Sequence, residues 1–79
     1  MPTIIWIRKF RFFFYSNELG EAPHIHIQSD NKTAKFWLTP VKLSKSIRFT
    51  PKELRRLEKL VAENKNKFLE VWNEYFNTK

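Results

Sequence analysis

The sequence predicts an α+β domain: a small antiparallel sheet of four to five strands, with one long C-terminal helix packed on one face. Three observations predict it. Residues 1–47 are rich in β-branched and aromatic stretches that alternate with period two. Thr50, Pro51 and Glu53 together spell a helix start. From Leu54 onward, apolar residues recur at helical spacing.

Taken in order, residues 3–7 and 10–15 are strand-like and only Arg8 and Lys9 separate them, so they form a hairpin. A two-residue turn ordinarily takes Gly or Asn, which leaves the geometry of this one open. In that register Ile5, Ile7, Phe10, Phe12 and Phe14 share the core face. Ile4, Trp6, Arg11, Phe13 and Tyr15 share the other, mixed face. Residues 16–22 hold the sole glycine, Gly20, and read as a flexible loop that can form a rim or lid over the next strand.

Residues 23–28 and 33–38 both alternate, around a turn of Ser29, Asp30, Asn31 and Lys32 in which Asn31 suits the left-handed conformation. Gln28 then lies opposite Thr33, His26 opposite Lys35, and His24 opposite Trp37. Ile25, Ile27, Ala34, Phe36 and Leu38 make a core face. The reverse face carries His24, His26, Gln28, Thr33, Lys35 and Trp37. Thr39 and Pro40 break the strand. Residues 41–47 alternate weakly, as an edge strand guarded by its lysines or as a short irregular turn.

Thr50 and Glu53 form a capping box, Pro51 occupies the first helical position, and Phe49 staples to Leu54. Leu54, Leu57, Val61, Phe68, Trp72 and Tyr75 mark the buried stripe, widened by Leu60, Val71 and Phe76. A helix over residues 51–77 would be ~40 Å long at 1.5 Å per residue. That is long for so small a domain, and a bend near Asn64 to Asn66 would shorten it. Lys52, Arg55, Arg56 and Lys59 form a basic stripe beside the apolar one.

With 79 residues the chain is one domain, 1–79, near the lower size limit for a core without staples. Eight Phe, three Trp and two Tyr compensate with large buried area. The chain has no Cys, which excludes disulfides and thiolate metal sites and suits a reducing cytoplasm. No apolar run spans a bilayer and no signal-peptide pattern is present, so a soluble cytoplasmic protein is expected, with no membrane partner. Residues 1–30 and 61–79 are each neutral, so the whole net charge of +7 lies in residues 31–60. A localised basic surface points to an anionic partner, nucleic acid or acidic protein, or else simply aids solubility.

If strand faces align, the face left bare by the helix collects Trp6, Arg11, Phe13, Tyr15, His24, His26, Lys35 and Trp37. Interleaved aromatic and basic side chains on an open sheet stack bases while neutralising phosphates. The same composition suits a protein interface, including a homodimer. His24 and His26, two apart on a strand, point the same way about 7 Å apart. With Lys35 they can supply base, acid and phosphate clamp for metal-independent RNA cleavage, Lys35 keeping the rings neutral. They can equally be plain half-exposed rings hydrogen-bonded to backbone or water. As a metal site the pair is short of ligands unless Glu18, Glu21 or Asp30 folds over, so no metal is assigned. There is no phosphate loop, no nucleophile signature, no zinc-finger spacing and no dinucleotide fingerprint, so no cofactor is expected.

Several stretches occur together in order: Met1-Pro2-Thr3, Arg11 to Glu18, Pro23 to Ile27, Ala34 to Leu38, Pro40-Val41, Phe49 to Leu54 and Trp72 to Phe76. In this combination, over nearly the whole chain, the sequence resembles the small bacterial family called domain of unknown function 4160. Arg8 and Lys9 depart from it, because relatives tend to carry a Gly-containing turn there. The resemblance implies a toxin-like half of a type II toxin–antitoxin pair, acting on RNA or translation and silenced by a small cognate partner protein. On that reading His24, His26, Lys35 and Tyr15 are the catalytic candidates. Trp6, Arg11, Trp37, Arg48, Lys52, Arg55, Arg56 and Lys59 would bind nucleic acid or the partner. The alternative is a non-enzymatic module that binds nucleic acid or protein through the same faces.

Overall fold

The computed structural model describes residues 3–15 and 20–76. Among these, five strands form one antiparallel sheet: β1 (Thr3–Ile7), β2 (Phe10–Phe13), β3 (His24–Ser29), β4 (Lys32–Leu38) and β5 (Val41–Ile47). Two helices follow, α1 (Pro51–Glu63) and α2 (Lys65–Phe76). Spatial order matches chain order, β1-β2-β3-β4-β5, so β1 and β5 are the edges. The α+β class and the antiparallel sheet are as the sequence predicts, and residues 41–47 are the edge strand.

Three tight turns hold the meander. Ile7 pairs with Phe10, leaving Arg8 and Lys9 as the first turn, with Arg8 at φ 54°. The expected pairings of His24, His26 and Gln28 with Trp37, Lys35 and Thr33 are all present. The turn between those strands is tighter than its four expected residues, because Ser29 also pairs with Lys32. Asp30, at φ 54°, takes the left-handed conformation instead of Asn31. A short carboxylate side chain tolerates that region as an amide does. Thr39 and Pro40, joined by a cis peptide bond, turn β4 into β5. The register of β4 on β5 shifts between Lys35 and Phe36, which inserts one extra residue into β5.

The helices cover one face. Phe10, Phe12, Ile25, Ile27, Ala34, Phe36 and Leu38 from the sheet close on Leu57, Val61 and Phe68. Phe12 stacks on Phe68 at 5.4 Å, and Phe49, buried just before the cap, joins the same cluster as the half-buried Leu54. The capping box forms in full: the Glu53 amide donates to Thr50 Oγ1 at 3.2 Å, and the Thr50 amide donates to Glu53 Oε1 at 2.9 Å. Lys32 Nζ donates to the other carboxylate oxygen of Glu53 at 2.9 Å, tying the start of β4 to the helix.

The expected single helix over residues 51–77 is two helices, and position 77 lies outside the described residues. They part at Asn64. Its amide donates to the Leu60 and Val61 carbonyls, and its side-chain Nδ2 donates to Leu60 O at 2.9 Å. Its own carbonyl then accepts from the Phe68 amide at 3.0 Å, opening α2. The break falls where the buried stripe lapses into Asn64 and Lys65, between Val61 and Phe68. A polar turn there gains nothing by packing on the sheet, so the amide side chain caps one helix and the second starts afresh.

Candidate functional site

Antiparallel pairing without crossovers lines residues up in rows across the uncovered face. Phe13 lies opposite His26, His26 opposite Lys35, and Lys35 opposite Lys45. A second row runs Trp6, Arg11, Gln28, Thr33, Ile47. A third runs His24, Trp37, Lys42. β2, β3 and β4 thus alternate apolar residues toward the helices with aromatic, basic or polar residues away from them.

The middle row is an aromatic platform. His26 stacks on Phe13 with ring centroids 5.4 Å apart and 24° between planes. Tyr15 meets His26 edge-on at 4.8 Å and Phe13 edge-on at 5.4 Å. The Arg11 guanidinium lies over the Phe13 ring at 4.5 Å, on the side row from which it reaches Gln28 Oε1 at 3.5 Å. Phe13 is thereby buried, although alternation places it on the mixed face. Tyr15 and Trp6 stay open, at 42% and 61% exposed.

His24 sits beside His26, ring centroids 5.1 Å apart, nearer than the strand rise alone implies. Its surroundings differ, because it is 0% exposed. It lies at the first residue of β3, where Trp72 of α2 reaches it at 4.9 Å and Trp37 closes from the neighbouring strand at 5.6 Å. Its Nδ1 is 2.8 Å from the Ala22 carbonyl, an acceptor, so Nδ1 carries the proton and donates it. His24 therefore anchors the loop before β3 and supports the His26 ring from behind.

Lys35 Nζ pairs with Glu21 at 2.8 Å and lies over the Trp37 ring at 4.6 Å. Glu21 of the loop before β3 thus reaches a residue of β4, while Ser16, Asn17, Glu18 and Leu19 of the expected lid lie outside the described residues. Lys35 is 12% exposed, so its charge is met chiefly within the protein. Lys45, one strand farther out, is exposed. Between them is a pocket of about 230 Å³ lined by Phe13, Tyr15, His26, Lys35, Lys45 and Ile47. It is smaller than the ~300 Å³ at which pockets for drug-sized ligands begin, so it suits one planar group.

The expected binding residues divide between two sides. Trp6, Arg11 and Trp37 belong to the open face. Lys52, Arg55, Arg56 and Lys59 are exposed on α1, which covers the opposite face, and Arg48 sits exposed in the link between β5 and α1 at φ 70°. One continuous basic patch in residues 31–60 is therefore not what the fold builds. Phe13 stands on the face where the sequence puts it, buried as the ring that backs His26, whereas Lys45 was not among the expected site residues. The register of β4 on β5 would have revealed Lys45, but the bulge hides it. Among the described residues no cluster of three His, Asp or Glu is arranged to hold a metal, and no helix is long and apolar enough to cross a membrane.

Comparison with known proteins gives one finding. The profile of a family described as "Domain of unknown function (DUF4160)" matches residues 10–73, which carry four of the strands, α1 and most of α2. No curated protein and no solved structure matches the chain.

Proposed function

This chain belongs to the domain of unknown function family DUF4160, and we propose that within it the protein is a binding module for single-stranded RNA. Bases stack on Tyr15, His26 and Trp6 of the open sheet face. Phosphates meet Arg11, Lys35 and Lys45. The observation that carries this reading is the row Phe13, His26, Lys35, Lys45, with Tyr15 and Arg11 beside it. Flat rings held rigid by other rings lose little entropy on stacking, and cations at strand spacing follow a phosphate backbone. Glu21 occupies Lys35 in the free protein and gives way to a phosphate. Resemblance to toxin halves of toxin–antitoxin pairs fits such a target: cytoplasmic RNA of the translation machinery, with a small cognate protein silencing the chain by covering the same face.

A second reading, metal-independent ribonuclease, is favoured by His26 lying within ring contact of Tyr15 and across from Lys35. His26 would then be the proton-transfer group and Lys35 the clamp, with His24 positioning His26.

Binding of a labelled oligouridine at low salt, followed by anisotropy and by gel, tests both. Tyr15→Ala should weaken binding about tenfold or more, the cost of one stacked base at ~1–3 kcal/mol. Glu21→Gln should tighten it severalfold by freeing Lys35. Cleavage by the wild type that His26→Ala abolishes at unchanged affinity would replace the binding module with the enzyme. No binding at low salt would overturn the RNA reading and leave the face to a protein, a second copy of the chain included.

A further inference from the structure

The Arg8–Lys9 turn lies between two concavities on opposite sides of the sheet. On the open side, Trp6, Lys9, Arg11, Gln28 and Asp30 line one. On the helix side, Arg8, Phe10, Arg56, Lys59 and Leu60 line a cleft of about 310 Å³, with Glu63 as its one acidic lining residue. Consecutive turn residues thus border the two concavities, and Lys9 Nζ lies 5.9 Å from the ring centroid of Phe10, a residue of the helix-side cleft. Arg11, Lys9, Arg8, Arg56 and Lys59 form a cationic path around the end of the first hairpin.

Two observations make this path more than scattered surface charge. Arg8 has φ 54°, a left-handed conformation in which a Cβ crowds the following carbonyl oxygen. A two-residue hairpin turn takes positive φ at its first central position, and here it fixes where the Arg8 side chain leaves the turn. Arg8, the residue so strained, is one that lines the helix-side cleft. Arg56 and Lys59, three apart on α1, share one helix side and line the same cleft, giving three cations against one carboxylate. The cleft also holds no exposed ring on which a base would stack, as the open face does. Its chemistry is that of a phosphate seat.

We infer that an RNA strand does not end on the sheet face but crosses the Arg8–Lys9 turn and seats its phosphates among Arg8, Arg56 and Lys59. This rests on the RNA reading above and extends it. The protein would bind a strand longer than the sheet face accommodates, with bases read on one side and backbone held on the other.

The test compares a short oligouridine of about 4 nucleotides with one of about 12, the span of single-strand site sizes being about 4 to 16. The proteins are wild type and the double variant Arg56→Ala, Lys59→Ala, whose side chains are exposed and outside the core. The long oligomer should bind the variant about tenfold or more weakly. The slope of its log affinity against log salt should fall by about 1.4, at about 0.7 for each phosphate no longer neutralised. The short oligomer should bind both proteins alike. Arg8→Gly should also weaken the long oligomer while leaving the melting temperature no lower, because glycine accepts the turn geometry. Equal binding of the long oligomer by wild type and double variant overturns the path and leaves the sheet-face reading standing. Equal loss for both oligomers also overturns it, since the cations would then act as a uniform field. Failure of wild type to bind either oligomer removes both the path and the RNA reading.

Discussion

Glu53 joins three parts of the chain through one carboxylate. The Thr50 amide donates to one oxygen and Lys32 to the other, each at 2.9 Å. The backbone donor is the larger influence and the Lys32 ammonium the next, and together they hold the carboxyl at about 2 against an ordinary 4.5. A carboxyl depressed on folding stabilises the native state above its unfolded pKa. That stability is lost as pH falls from about 4.5 through about 2. Thermal midpoints measured at pH 7 and pH 3 should therefore converge for Glu53→Gln and diverge for wild type. A wild-type midpoint as insensitive to acid as that of the variant would contradict the arrangement. Thr50→Ala removes the reciprocal hydroxyl acceptor and should cost about 1 kcal/mol at neutral pH.

Among the elements, the break between α1 and α2 shows how far periodicity carries. Leu57 and Phe68, like Val61 and Trp72, are eleven residues apart, just over three whole turns, so their phase is nearly the same in one helix or two. The apolar stripe was therefore legible, and so was the place of the bend near Asn64 to Asn66, which the structure makes a full break between two helices. What periodicity leaves out is the cap itself, the Asn64 side-chain amide donating to the Leu60 carbonyl. Asn64→Ala should cost about 1 kcal/mol of stability in urea titration, the net worth of that bond. Phe68→Ala, which empties the stacking place against Phe12, should cost about 3–5 kcal/mol. The hairpin of β3 and β4 was legible because both strands alternate strictly and one face is wholly apolar. The partner register of β5 was not, since one bulged residue shifts every pairing beyond it. The histidines illustrate both cases. Their common face follows from strand alternation, whereas the burial of His24 depends on Trp72, forty-eight positions away on another element.

For the whole molecule, the net charge of +7 is shared between two faces rather than gathered on one. Alternation in the strands sends Arg11, Lys35, Lys42 and Lys45 to the bare side, while α1 carries its four cations over the back. The unpaired edges β1 and β5 border the bare face on either side, and Lys42 and Lys45 place charge along β5, which discourages a flat strand from pairing there. The strand order has a further consequence, in time rather than in space. Every strand bonds to its neighbour in sequence, so the meander assembles from short-range contacts, a topology associated with rapid folding. Yet Phe10, Phe12, Phe36 and Leu38 have nothing over them until residues 51–76 dock. During synthesis on the ribosome, the sheet would emerge first with an apolar side bare, and the two helices would seal it afterward. A fragment of residues 1–50 should bind a hydrophobic dye and aggregate, and a peptide of residues 51–79 added in trans should suppress both. If the fragment alone stays monomeric and dye-silent, the sheet does not depend on its helical cover. Dye binding by the fragment that the peptide abolishes would make the docking of residues 51–76 the step at which a nascent protein stops being vulnerable to its own apolar surface.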